Sequence, residues 1–159
     1  MSEVPATRPR KFVVVVDKTA ECRVALRFAT RRAQHTGGRV TLVCLSQPEE
    51  FQQWRGVAEI MKDEARAEAE HLIYEAAKAV NELSGIRPEL VILEGPAADC
   101  IAEFLRSDRD LSILVLAASA AREGPGLLVS TFAGRAGGNP IPITIVPGSF
   151  SEAEIDALA

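Results

Sequence analysis

The sequence predicts a single α/β domain, a doubly wound, five-stranded parallel sheet with helices on both faces. Its 159 residues suit one domain, and the 47% hydrophobic content is enough for one core. Five short apolar runs alternate along the chain with helical patterns. Alternation of this kind requires parallel strands, and right-handed crossovers then place helices on both faces of the sheet.

The first strand and helix are the clearest elements. The β-branched run at residues 12–16 is typical of a strand buried on both faces. A helical pattern that opens at Thr19 or Glu21 follows, and two glycines at 37–38 end it. Residues 40–45 predict the second strand.

A long amphipathic helix dominates the middle of the chain. Its apolar stripe runs from about residue 57 to residue 83 without a proline. Phe51 and Trp54 precede it in a predicted loop, where they serve either as core residues or as a lid over a ligand site. Residues 90–93 predict the third strand, and Pro96 suits the first turn of the helix that follows.

The last third of the chain completes the sheet. Residues 111–116 predict the fourth strand, and a short helix is expected near residues 130–136 after a loop of small residues. The fifth strand is expected from Ile141 to Val146. We divide the chain into a disordered arm at 1–10, the domain at 11–148 and a tail at 149–159. A Ser-x-x-Glu capping pattern at Ser151 predicts a weak helix in this tail.

Bulk properties exclude several classes of function. A net charge of −4 without a basic cluster argues against nucleic-acid binding. No apolar run approaches a membrane span, and the lack of a leader pattern makes the cytoplasm the expected compartment. Three cysteines without CxxC spacing argue against a zinc site. Neither His35 nor His71 has a neighbouring ligand at metal-binding spacing, so no metal site is expected.

Four segments resemble the universal stress protein family. The first reads Val-Val-Asp-Lys-Thr at 15–19, where the family typically has Val-Asp-Gly-Ser. The second is Leu-Val-Cys-Leu at 42–45. The third is Leu-Glu-Gly-Pro-Ala at 93–97, followed by Asp-Leu-Ser-Ile-Leu-Val at 110–115. The fourth, Pro-Ile-Pro-Ile-Thr-Ile-Val at 140–146, is similar to the family's terminal strand. Their order and separation carry the resemblance.

The resemblance implies a binding or regulatory protein of the stress response and not an enzyme. It also implies a homodimer, because the last strand of the family commonly pairs across a two-fold axis. Here that strand is the run from Ile141 to Val146, and an apolar edge strand of this kind invites pairing with a second chain.

The nucleotide loop departs from the family pattern. ATP-binding members carry Gly-x-x-Gly-x9-Gly-Ser/Thr, whose glycines let backbone amides approach phosphates. In this sequence Ala117 and Ala120 replace the first glycine pair, and Val129 precedes Ser130. A β-branched residue resists positive φ and crowds the place for phosphate. These replacements weaken the expectation of ATP binding without removing it.

A bound nucleotide, ATP or AMP with Mg²⁺, would still have candidate contacts. Asp17 and Val43 would meet the adenosine part, and Asp17 has the alternative role of capping the first helix. The phosphate contacts would come from the loop and the helix after it, at Gly124, Gly126, Ser130 and Thr131.

Two other functions stay open. A slow ATPase would need a carboxylate for the metal and a group that positions water, and beyond Asp17 the loop offers only Glu123. A protein-interaction module without nucleotide is favoured if Leu128 or Val129 fills the ligand cavity. No catalytic residue is predicted.

Overall fold

The predicted α/β fold class is confirmed. A computed structural model describes residues 8–47 and 55–159. It contains one five-stranded sheet in the order β3-β2-β1-β4-β5, and every adjacent pair of strands is parallel. The strands are β1 (Lys11–Val16), β2 (Arg39–Ser46), β3 (Glu89–Glu94), β4 (Leu111–Ala118) and β5 (Ile143–Pro147).

Helices cover both faces of this sheet. They are α1 (Cys22–Thr36), α2 (Arg55–Ser84), α3 (Ala97–Ser107), α4 (Leu127–Gly134) and α5 (Glu152–Leu158). Side chains of α1, α2 and α5 share one apolar cluster with the sheet, and those of α3 and α4 share the other. In the described part of the chain, no helix is long and apolar enough to cross a membrane.

The central strand β1 divides the core into two layers. Phe12, Val14 and Val16 face α1 and α2, whereas Val13 and Val15 face α3 and α4. All five side chains are buried, and burial of one such side chain contributes about 1.5–3 kcal/mol. The run of β-branched residues is therefore a strand with no solvent face, as predicted.

Several element boundaries differ from the prediction. The helix expected near residues 130–136 begins three residues earlier, at Leu127, because Gly126 adopts φ 101° and starts it without a capping side chain. The last strand begins at Ile143 instead of Ile141, since Pro140 and Pro142 have no N–H to donate to a ladder. The long helix extends back to Arg55. Phe51 and Trp54 lie outside the described residues, so the lid hypothesis stays untested.

Candidate functional site

A cavity of about 460 Å³ lies at the carboxyl ends of the central strands. The chain winds outward from β1 through β2 to β3, and then returns to place β4 on the other side of β1. Doubly wound sheets bind their ligands at this point of reversal. The cavity volume lies within the range of small-molecule sites.

The floor of the cavity is apolar. Cys22 and Cys44 line it together with small side chains of α1 and α2. The Cys22 thiol donates a weak hydrogen bond to the Val15 carbonyl at 3.7 Å. Burial raises the pKa of the Cys22 thiol to about 11 and also raises the pKa of the Cys44 thiol. Both sulfurs are therefore uncharged at neutral pH, and the floor suits a flat aromatic ring.

Asp17 lies at the rim, directly after β1. Its Oδ1 accepts hydrogen bonds from the Thr19 amide at 2.9 Å and from the Thr19 hydroxyl. The N-cap position of α1 belongs to Glu21, whose side chain makes no capping bond, so the capping role considered for Asp17 is wrong. The bonds to Oδ1 fix the carboxylate and leave Oδ2 available to a ligand donor.

The loop between β4 and α4 forms the opposite wall. Gly124 and Gly126 take φ 108° and 101°, values that side chains disfavour, and Ser119 donates its amide to the Pro125 carbonyl at 3.0 Å. The loop is therefore folded back on the end of β4. The first turn of α4 lines the cavity, and its amides have no acceptor within the helix.

The structure brings together only part of the predicted nucleotide site. Asp17 and Gly126 both line the cavity. Val43 does not, because it is 0% exposed and packs with the α3 and α4 layer. Its neighbours Cys44 and Leu45 reach the cavity in its place.

Three further predicted contacts also lie outside the cavity lining. Gly124 forms the turn before the wall and donates its amide to the Ala121 carbonyl at 3.2 Å. Ser130 and Thr131 lie inside α4, past its first turn, because the helix begins at Leu127. Their hydroxyls therefore cannot cap α4, contrary to the prediction.

Val129 does not have the backbone strain that the sequence analysis expected of it. It lies within α4, and no described residue other than glycine has a positive φ. The expected conflict with positive φ is thus absent. Val129 is 7% exposed and, with Leu128, supplies apolar surface to the cavity wall. The two side chains narrow the site while leaving the 460 Å³ open.

Of the four charged side chains that line the cavity, the sequence predicts Asp17 and leaves out the other three. Three carboxylates, those of Asp17, Glu21 and Glu68, face one ammonium, that of Lys18. Lys18 forms an ion pair with Glu68 on α2. The sequence did carry a signal for Lys18, because a charged residue replaces the glycine of the family pattern at this position. The positions of Glu21 and Glu68 depend on tertiary structure and had no local signal.

The residue considered for water activation lies elsewhere. Glu123 is exposed on the loop and does not line the cavity. Within residues 8–47 and 55–159, no group of three or more His, Cys, Asp or Glu side chains is arranged to hold a metal ion.

The fold and cavity together define a doubly wound α/β domain with a crevice at the switch point of its sheet. The universal stress protein family model matches residues 9–147. The chain belongs to the universal stress protein family.

Solved structures share this fold at low sequence identity. Universal stress protein UspA from Lactobacillus plantarum is 16% identical with a TM-score of 0.72, over 88% of this chain and 99% of that one. A family member from Arabidopsis thaliana with AMP bound is 17% identical with a TM-score of 0.60, over 87% and 92%. The Archaeoglobus fulgidus protein in complex with dAMP is 21% identical with a TM-score of 0.57, over 88% and 99%. No curated protein sequence matches significantly.

Proposed function

We propose that this chain is a regulatory protein of the stress response that binds an adenine nucleoside or nucleotide in the cavity between Asp17 and Gly126. One observation carries the proposal: a fixed carboxylate, an uncharged apolar floor and the first turn of α4 line the same cavity. Solved family members described with cAMP, AMP and dAMP support the class of ligand.

Each wall suits one part of such a ligand. The adenine ring packs on the thiol floor, and Asp17 Oδ2 accepts a hydrogen bond from the ring amino group or a ribose hydroxyl. The first-turn amides at Gly126 face the sugar end. The proposed activity is binding and not hydrolysis, and Glu123 lies outside the lining.

A blocked cavity tests this proposal. Ala65 on α2 lines the cavity, whereas Ala67 is exposed on the same helix and does not. We expect calorimetric titration of protein freed of bound nucleotide to show adenosine binding in the micromolar range for wild type and for Ala67→Trp. Ala65→Trp should weaken it by about tenfold or more, since an indole fills the space. No heat from adenosine, AMP or ATP up to millimolar concentration would contradict nucleotide binding.

The protein-interaction module is the second candidate. Leu128 and Val129 narrow the cavity without filling it, whereas this alternative is favoured if they fill it. If no nucleoside or nucleotide binds, this candidate replaces the first, and pull-down experiments would then identify its partner.

We also propose a homodimer formed through β5. Among the described strands, β5 pairs with β4 alone, and its other edge is free. Ile145 on this strand is 41% exposed. An apolar edge strand of this kind can be paired with a second copy.

A further inference from the structure

We infer that Glu21 occupies the anion position of the cavity and restricts the ligand to an uncharged adenine nucleoside. The inference rests on the proposed function and specifies its ligand. It assigns to Glu21 the selection of ligands by charge, so that adenosine binds and a terminal phosphate is rejected.

The geometry places Glu21 between the starts of two helices. It is the N-cap residue of α1, yet its side chain does not bond to α1. Its Cβ packs closely against Gly148 after β5, since a Cβ built on that glycine would lie 3.0 Å from it. A Cβ built on Gly126 would lie 4.0 Å from Glu21 Oε1. The carboxylate therefore lies beside the N-cap of α4.

An anion is favoured at this place. The N-terminus of a helix has unpaired amides and a partial positive charge, which is why bound phosphates are commonly found there. In this chain the Glu21 carboxylate lies close to this place, beside Gly126. A phosphate group brought to Gly126 would meet the Glu21 carboxylate at close range, and like charges at a few ångströms repel strongly in a partly buried site.

The other charged side chains of the lining do not offset the repulsion between Glu21 and a phosphate. Lys18 is the single cation among the described lining residues, and Glu68 already pairs with it. A phosphate would therefore compete with Glu68 for the Lys18 ammonium. Asp17 adds a further carboxylate, so each added phosphate charge raises the electrostatic cost of binding.

A nucleoside avoids these costs. It carries no charge, and its ribose hydroxyls and ring amino group are hydrogen-bond donors that carboxylates accept. The acidic lining that repels phosphate therefore favours adenosine. The thiol floor is indifferent to ligand charge, because Cys22 and Cys44 are neutral.

The test titrates adenosine, AMP and ATP, each without Mg²⁺, into the full chain freed of bound ligand. Wild type is expected to bind adenosine about tenfold more tightly than AMP, and ATP more weakly still. Glu21→Gln keeps the side-chain size and removes the charge. It should strengthen AMP and ATP binding by about tenfold and change adenosine binding by less than about threefold. Glu103→Gln is the matched control, because Glu103 is exposed on α3 outside the cavity lining, and it should change none of the three affinities.

The salt dependence of the affinities tests the same repulsion in the wild-type protein, without any substitution. Raising the salt concentration should narrow the difference between adenosine and ATP in wild type, because salt screens the repulsion. If wild type binds ATP as tightly as adenosine, or Glu21→Gln leaves the ratio of affinities unchanged, the role of Glu21 is overturned while the binding proposal stands. If neither protein binds any of the three ligands, the proposed function falls and this inference with it.

Discussion

Two fully buried threonines show how single hydroxyl groups affect this core. Thr30 Oγ1 donates a hydrogen bond to the Leu26 carbonyl at 2.7 Å. Among the described residues, Thr41 Oγ1 has no hydrogen-bond partner, although Thr41 is 0% exposed within β2. A buried polar atom without a partner costs about 1–3 kcal/mol. Thr41 therefore reduces the stability of the sheet, and Thr30 does not.

Replacement of Thr41 by valine should stabilise the protein. Thr41→Val exchanges the unpaired hydroxyl for a methyl group of similar size and favours the strand. We expect the free energy of unfolding, measured by urea denaturation, to rise by about 1 kcal/mol. The matched Thr30→Val variant loses a made hydrogen bond and should show no gain. Equal gains in both variants would contradict this assignment.

Among the helices, α5 is attached to the domain by charged side chains. Its first residues form a complete capping box between Ser151 and Glu154. Arg27 on α1 donates to both carboxylate oxygens of Asp156, at 2.9 and 2.7 Å, and Arg31 donates at 3.0 Å. The family match ends at residue 147, so this helix lies beyond the matched segment.

The attachment of α5 predicts a pH dependence. Hydrogen bonds from Arg27, and then from Arg31, hold the pKa of Asp156 at about 2, below its ordinary value of 3.8. A carboxyl group with a depressed pKa stabilises the folded state above its unfolded pKa, and this contribution disappears as pH falls through the folded pKa.

Asp156→Asn should thus lower the unfolding free energy at neutral pH and lose this effect as pH falls toward about 2. Denaturation at a series of pH values measures the difference between wild type and variant. A difference that stays constant from neutral to acidic pH would show that the ion pair does not contribute. Hydrogen exchange of the α5 amides should be faster in the variant, since the helix is held by fewer bonds.

Elements with strong local patterns were predictable from the sequence, and the first residue of α4 was not. The β1 run and the capping box at Ser151 each have their own local signal. The start of α4 has none, because Gly126 supplies it through a positive φ and the first turn is apolar. The helix was therefore expected three residues too late, and hydroxyl groups at Ser130 and Thr131 were misinterpreted as caps.

The same limit applies to the site. Asp17 was predictable because it directly follows a buried strand, and Gly126 because the loop is rich in glycine. Glu21 and Glu68 face the cavity through the packing of α1 and α2 against the sheet, and no sequence spacing joins them. Val43 was expected at the cavity and instead packs in the α3 and α4 layer. In a strand buried on both faces nearly every residue is apolar, so the sequence does not show which side chains face which layer.

The assembly of two chains is predicted by the free edge of β5. Ile145→Lys places a charge on the proposed dimer contact and should shift the protein from dimer to monomer in sedimentation equilibrium. Leu90→Lys on β3 is the matched control, since Leu90 is 37% exposed on the opposite edge of the sheet. A monomeric wild type, or dissociation of the dimer by Leu90→Lys alone, would contradict pairing through β5.

At the scale of the whole molecule, the main feature is the cavity at the switch point of the sheet. Five parallel strands bring the end of β1, the start of α1 and the start of α4 to one place. A second groove, of about 650 Å³, lies among α1, α2 and α5 and shares Asp17, Thr19 and Cys22 with the first cavity. It is the competing location for a small ligand, although the first turn of α4 does not line it.

The most direct test is to map adenosine binding on ¹⁵N-labelled protein by NMR. Saturating adenosine is expected to shift the amide signals of Leu45, Gly126 and the first turn of α4, which line this cavity and not the second groove. The signals of Ile145 on β5 and Phe150 before α5 should stay unchanged. Shifts that include Phe150 and Ile155 but not Gly126 would place the ligand in the second groove. An unchanged spectrum at millimolar adenosine would contradict ligand binding at the switch point.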